Sequence, residues 1–218
     1  MHSCLVVAVD SSSNERIMVE LLSPFALAER VVEAANKVGI ATAMIGASAL
    51  AAHNYVRGTR DIDFATAVDP RSDLPKLEQA LLELGLSVEL RMPDEDDPIG
   101  GVLVVWESED SNGERTDPVE VVNFYNPFRP RPNPAANAIK NAVRLDHDSP
   151  LRCVRLPDLI ALKLYAGGLR DHADVVELLV HNPAADLDEV RAVGTQYDVE
   201  GRLEGLIAQA ANRHNRRR

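Results

Sequence analysis

Two periods run through this chain: short apolar runs of strand length, and longer stretches with an apolar residue every third or fourth position, as a helix requires. Residues 1–20 are weakly patterned, with a turn at the SSSNER stretch. Over 24–38, apolar residues at Phe25, Leu27, Ala28, Val31, Val32, Ala35 and Val38 predict an amphipathic helix stopped by Gly39. Residues 42–45 then read as a buried strand, 48–53 as a short helix and 61–67 as a second strand. A helix over 74–84, ended by Gly85, leads into a strand over 86–90.

The Pro and Asp cluster at 93–98 breaks the chain before the strongly β-forming run VLVVW. SEDSNGERTDP has the turn residues of a hairpin loop, and residues 119–125 return as the partner strand. Trp106 and Tyr125 are expected to face each other across that hairpin as packing residues. NPFRPRPNP is a Pro-rich connector, and from residue 151 the periodicity is helical to about residue 212. There is no internal repeat. The pattern predicts an α/β fold with a mixed sheet flanked by helices. Its parts are an N-terminal extension (1–20), an α/β domain (21–150), a helical C-terminal region (151–212) and a basic tail (213–218).

Composition narrows the function classes. At 218 residues the chain can bury a substantial core, and its formal net charge of -11 argues against coating nucleic acid through a general field. Any nucleic acid must be met locally, at Arg129 with Arg131 or at the tail arginines, although such a tail is ordinarily a disordered end. Cys4 and Cys153 make no disulfide framework or zinc cluster, and the six histidines include no His-x-x-x-His pair. The apolar run near the N-terminus is too short for a signal or membrane segment, so a cytoplasmic protein with no membrane partner is expected.

The chemistry concentrates in MIGASALAAHNYVRGTRDIDF, residues 44–64. In a strand Asp61 and Asp63 share one face while Ile62 and Phe64 enter the core. Paired carboxylates suit a hard cation, Mg2+ (or Mn2+), commonly held together with substrate phosphates. The same spacing recurs at Asp94/Asp96, Asp146/Asp148 and Asp186/Asp188. Of these, the first lies in a solvated turn by composition and the last reads as the acidic first turn of a helix. Only Asp61/Asp63 combines an apolar strand with a small-residue turn upstream.

Lys163 is conspicuous on physical grounds. It stands among Leu159, Ile160, Ala161, Leu162, Leu164 and Tyr165, where an ammonium group is costly unless it finds an anion or reaches water. A phosphate is one such anion, and a carboxylate on a neighbouring helix is another. Arg57, Thr59 and Arg60 precede the carboxylate strand as candidates for contact with phosphate or acceptor, and they serve equally as turn residues.

Ile45-Gly46-Ala47, a gap of about a dozen residues, then Asp61-Ile62-Asp63-Phe64 resembles the motif of the polymerase-β-like nucleotidyltransferase superfamily. There a Gly-Gly or Gly-Ser turn precedes Asp-x-Asp. The later LPDLIALKLYAGGLRDHADVVELL is similar to the C-terminal signature of AbiEii-type and related bacterial nucleotidyltransferases. The resemblance implies a small mixed sheet of nucleotidyltransferase type, an NTP substrate, and Mg2+ at Asp61, Asp63 and a third carboxylate from a neighbouring strand. Glu120 is the best match for the third, with Asp117 poorer because it precedes Pro118.

Gly46 would let backbone N–H groups approach the phosphates, reinforced by a helix start at Ala47 and Ser48. The resemblance also places Lys163 in the active site, with Asp171 and Asp174 following Arg170. Each of these aspartates is positioned to pair with Lys163 or to touch substrate. Ala47 departs from the usual Gly or Ser, and Glu120 from the usual Asp. The implied activity moves a nucleoside monophosphate from an NTP to a hydroxyl of RNA, protein or a small molecule. Related families include toxin and antitoxin components, which implies a cognate toxin or antitoxin partner. The alternative is a degenerate member that binds nucleotide or a partner protein without turnover.

Overall fold

The computed structural model describes residues 25–130, 132–198 and 201–216. The extension at 1–20 lies outside the described residues, as does Arg131. Helix α1 occupies residues 25–37 and buries Leu27, Ala28, Val31, Val32 and Ala35 of the stripe its period predicts, while Phe25 at its start is exposed and Val38, just past its end, is half-buried. There follow β1 (Ala43–Met44), α2 (Gly46–Ala52), β2 (Ile62–Thr66), α3 (Asp73–Glu83), β3 (Ser87–Arg91), β4 (Val102–Trp106) and β5 (Val119–Asn123). The second half adds α4 (Ala135–Asn141), β6 (Val143–Arg144), β7 (Arg152–Cys153), α5 (Leu156–Ala166), α6 (Leu169–His181), α7 (Leu187–Gly194) and α8 (Leu203–Arg216). The mixed α/β class is as expected.

The strands form one mixed sheet in the order β3-β4-β5-β2-β1-β7-β6 among the described residues. β3, β4 and β5 are antiparallel neighbours, β5 runs parallel to β2, and β1 lies antiparallel to β2 and parallel to β7. One register line crosses the centre, pairing Asp63 with Glu120, Glu120 with Val104 and Val104 with Glu89. Since side chains alternate across a strand, these four share a face. Ile62, Phe64, Val119 and Val121 are buried on the other.

The C-terminal helices are held by a different logic. α5 is apolar nearly all round, buries Leu159, Ile160, Ala161, Leu162 and Leu164, and packs against α4, α6 and α7. Gly167, at φ 68°, ends it in the left-handed conformation and donates its N–H to the Lys163 carbonyl at 3.0 Å. α6 follows after two residues, so the two helices turn sharply and bring Lys163 beside the start of α6.

Several sequence expectations need correcting. α4 was not foreseen, because AANAIKN is a seven-residue run after a Pro-rich connector, too short to show a period. Nor were β6 and β7, two residues each; the region expected to be helical from 151 first adds Arg152 and Cys153 to the sheet. Trp106 and Tyr125 do not face each other. The register pairs Val105 with Val119 and Val102 with Val122, which puts them at opposite ends of the strand pair. Trp106 instead lies under the Arg115 guanidinium, 4.1 Å from the ring centroid, and donates to Glu109. The tail is not a loose end as far as Arg216, because α8 runs through it and Arg213 pairs with Glu177.

Candidate functional site

β1 ends at Met44, and the Ile45 N–H donates to the Asp63 carbonyl at 2.8 Å, carrying the pairing with β2 one residue further. Gly46 is thereby pressed against Asp63. A Cβ at Gly46 would lie 1.8 Å from Asp63 Oδ2, and the residue has φ +61°. Glycine is required here twice, for its conformation and for the room it leaves a carboxylate. Gly46→Ala is expected to cost about 1–2 kcal/mol from backbone conformation alone and to push the Asp63 carboxylate aside. Urea unfolding would show the first effect, and a weakened Mn2+ titration the second.

Across the β2–β5 pair, ligand oxygens of Asp61, Asp63 and Glu120 come within 4.8 Å of one another. Burial first, then the neighbouring charges of Asp61 and Glu120, push the Asp63 carboxyl up from 3.8 to about 6. Burial and the Asp61 charge also raise Glu120 above the usual range. The Thr59 hydroxyl donates to Asp61 Oδ1 and fixes its rotamer. Three mutually repelling carboxylates that offer oxygens alone fit a hard divalent cation better than they fit one another. The longer Glu120 does not remove it from the group.

Two of the other Asp-x-Asp pairs have local explanations. Asp94 accepts the N–H groups of Asp96 and Asp97 in a turn, and Asp186 caps α7 by accepting from Asp188 and Glu189.

Lys163, with Arg57, draws the Asp63 carboxyl downward against the larger upward effects. Its Nζ lies 2.8 Å from Asp174 Oδ2 and 2.9 Å from Asp171 Oδ1. Asp171 also accepts the Gly168 N–H at 3.3 Å and so caps α6 while it holds the lysine. Asp174 is buried, at 2% side-chain exposure. Of the partners open to Lys163, the carboxylates on the neighbouring helix are present in the fold.

The remaining candidates separate. Ala47 is buried on α2 and Ser48 partly exposed; α2 has seven residues, so its dipole is weak. Arg60 is not brought to the carboxylates, since its side chain is 90% exposed and reaches Glu114 at 3.3 Å. Arg57, three residues earlier in the same turn, faces inward with its Nε 4.0 Å from Asp174. Long-range contacts decide this. His53 is hydrogen-bonded through Nε2 to the Val154 carbonyl, Asn182 donates to the His53 carbonyl, Asn54 donates to Asn182, and Tyr55 stacks on His181. These pin residues 53–55 along the end of α6. Nothing in the local sequence marks Asn182 or His181 as their partners.

Residues 31–217 match the model of the family described as "Nucleotidyl transferase AbiEii toxin, Type IV TA system". No curated protein matches the chain. Among solved structures, the chain is similar to an antigenic nucleotidyltransferase-like protein from Paracoccidioides brasiliensis, with TM-score 0.50, 14% identity, and 88% of this chain and 89% of that one covered. It is also similar to the antibiotic-resistance factor ANT(2'')-Ia in solution, with TM-score 0.47, 14% identity, and coverage of 88% and 96%. At these identities the likeness concerns the fold.

Proposed function

This chain belongs to the AbiEii nucleotidyl transferase toxin family, and from that premise we propose that it moves a nucleoside monophosphate from an NTP to a hydroxyl of RNA, protein or a small molecule. The observation that carries the reading is the convergence of Asp61, Asp63 and Glu120 beside a glycine that leaves them room. Those three carboxylates would hold Mg2+ (or Mn2+), which supplies neutralisation of the triphosphate charge. The acceptor oxygen bonds to the α-phosphorus as the bond to the β-phosphate oxygen breaks. Pyrophosphate leaves, and the hydroxyl proton passes to Glu120. Asp61 is kept in its rotamer by Thr59, and Lys163 offsets the negative potential around Asp63.

The family description supports a place in a toxin-antitoxin pair, with a cognate antitoxin as partner. No helix among the described residues is long and apolar enough to cross a membrane. The test is incubation with each NTP, Mg2+ and total RNA, reading pyrophosphate release and product mass. Release is expected with at least one NTP and is abolished by chelation of the metal. Tight NTP binding with neither pyrophosphate nor modified product in any arm would show a binding protein instead.

A further inference from the structure

The two cations beside Asp63 are not equivalent. Lys163 is committed, with Nζ within 2.9 Å of two carboxylates. Arg57 is not. Its side chain is 21% exposed, yet Nε and Nη1 are buried and have no hydrogen-bond partner among the described residues. The nearest carboxylate oxygen to Nε is 4.0 Å away on Asp174, whose other oxygen already holds Lys163 at 2.8 Å. Leaving guanidinium donors buried and unmet is costly, and a fold tolerates it where an anion is to come.

We propose that Arg57 binds the leaving-group end of the NTP, its guanidinium donating to β- and γ-phosphate oxygens. The inference rests on the nucleotidyltransferase reading and adds to it a residue and a specificity. The guanidinium is a rigid, planar fork with five N–H donors and so can serve more than one phosphate oxygen, where an ammonium is a compact point charge. Arg57 lies two residues before Thr59, whose hydroxyl holds Asp61, so an anion on Arg57 would adjoin the carboxylate trio. The turn carrying it is set in place by Asn182 and by the Tyr55–His181 stack, so the fork is preorganised. An enzyme built this way prefers triphosphate over monophosphate through a group that does not touch the transferred phosphorus.

The experiment uses the full chain and its Arg57→Met and Arg57→Lys variants. Binding of inorganic tripolyphosphate in the presence of Mn2+, of a nucleoside monophosphate, and of Mn2+ alone is measured by calorimetry, with the unfolding midpoint of each ligand-free protein. Arg57→Met is expected to weaken tripolyphosphate binding at least tenfold, and Arg57→Lys to fall between it and the parent. Monophosphate and Mn2+ affinities should stay within about twofold, and the midpoint of Arg57→Met should equal or exceed the parent's. Unchanged tripolyphosphate affinity in Arg57→Met overturns the proposal, as does an equal loss for monophosphate. A lowered midpoint with unchanged affinity makes Arg57 a structural partner of Asp174. If the parent protein binds neither Mn2+ nor tripolyphosphate, the nucleotidyltransferase reading of the site fails, and this inference with it.

Discussion

Asp63→Asn is expected to make the metal-free protein more stable at neutral pH while removing nucleotidyl transfer. The Asp63 carboxyl sits at about 6 in the folded chain against 3.8 for the free group. Ionising it therefore costs folding free energy. The contribution of the protonated group is fully present below about pH 4 and is lost as pH rises through about 6. A rise of that size corresponds to at most about 3 kcal/mol at pH 7.5, and asparagine keeps the shape without the charge. Urea unfolding with chelator present should show the parent gaining stability from pH 7.5 to pH 5 and the variant gaining less. Transfer should fall about a thousandfold or more, since a lost metal ligand removes several kcal/mol of charge stabilisation. A variant that is less stable than the parent at pH 7.5, or that keeps its transfer, would contradict the assignment.

Lys163→Met should have the opposite thermodynamic sign. It strands the Asp174 carboxylate, 2% exposed, without its 2.8 Å partner. Breaking a buried pair costs about 3–5 kcal/mol. The lower end applies here, because Arg57 remains 4.0 Å from Asp174 and Asp171 is a quarter exposed. Lys163→Met combined with Asp174→Asn removes the stranded charge and should recover most of that stability without recovering transfer. Urea titrations of the parent, both single variants and the double variant give the coupling directly. If the double variant is as unstable as Lys163→Met, the lysine matters for packing and the ion pair is incidental.

How much of this was legible beforehand depends on the range of the interactions concerned. Asp61 and Asp63 share a face by strand alternation, a period-two rule that a linear sequence displays, whereas Glu120 was reached only through the resemblance to nucleotidyltransferases. That β2 and β5 would be parallel neighbours was not readable, because register and adjacency are settled by packing. Lys163 stood out for being charged among leucines, and its carboxylate partners lay within helical reach. Arg57 and Arg60 looked alike, two arginines in one glycine-containing turn. The arrangement separates them through Asn182 and His181, residues more than a hundred positions away, and no local rule reports such a contact. The small strands β6 and β7 and the helix α4 escaped because each spans too few repeats of its period to reveal it. Trp106 and Tyr125 were paired by composition, and the register separated them.

The parallel β2–β5 contact joins residues 62–66 to residues 119–123, with the β3–β4 hairpin spread beyond them. Lys163 and Asp174 come later still, from helices that close against this sheet. Neighbours so distant along the polymer associate only after long loops have closed, the slow part of folding. A polypeptide emerging from the ribosome therefore holds no assembled centre until its last third has been translated. On the activity proposed above, transfer would start only once those helices have docked.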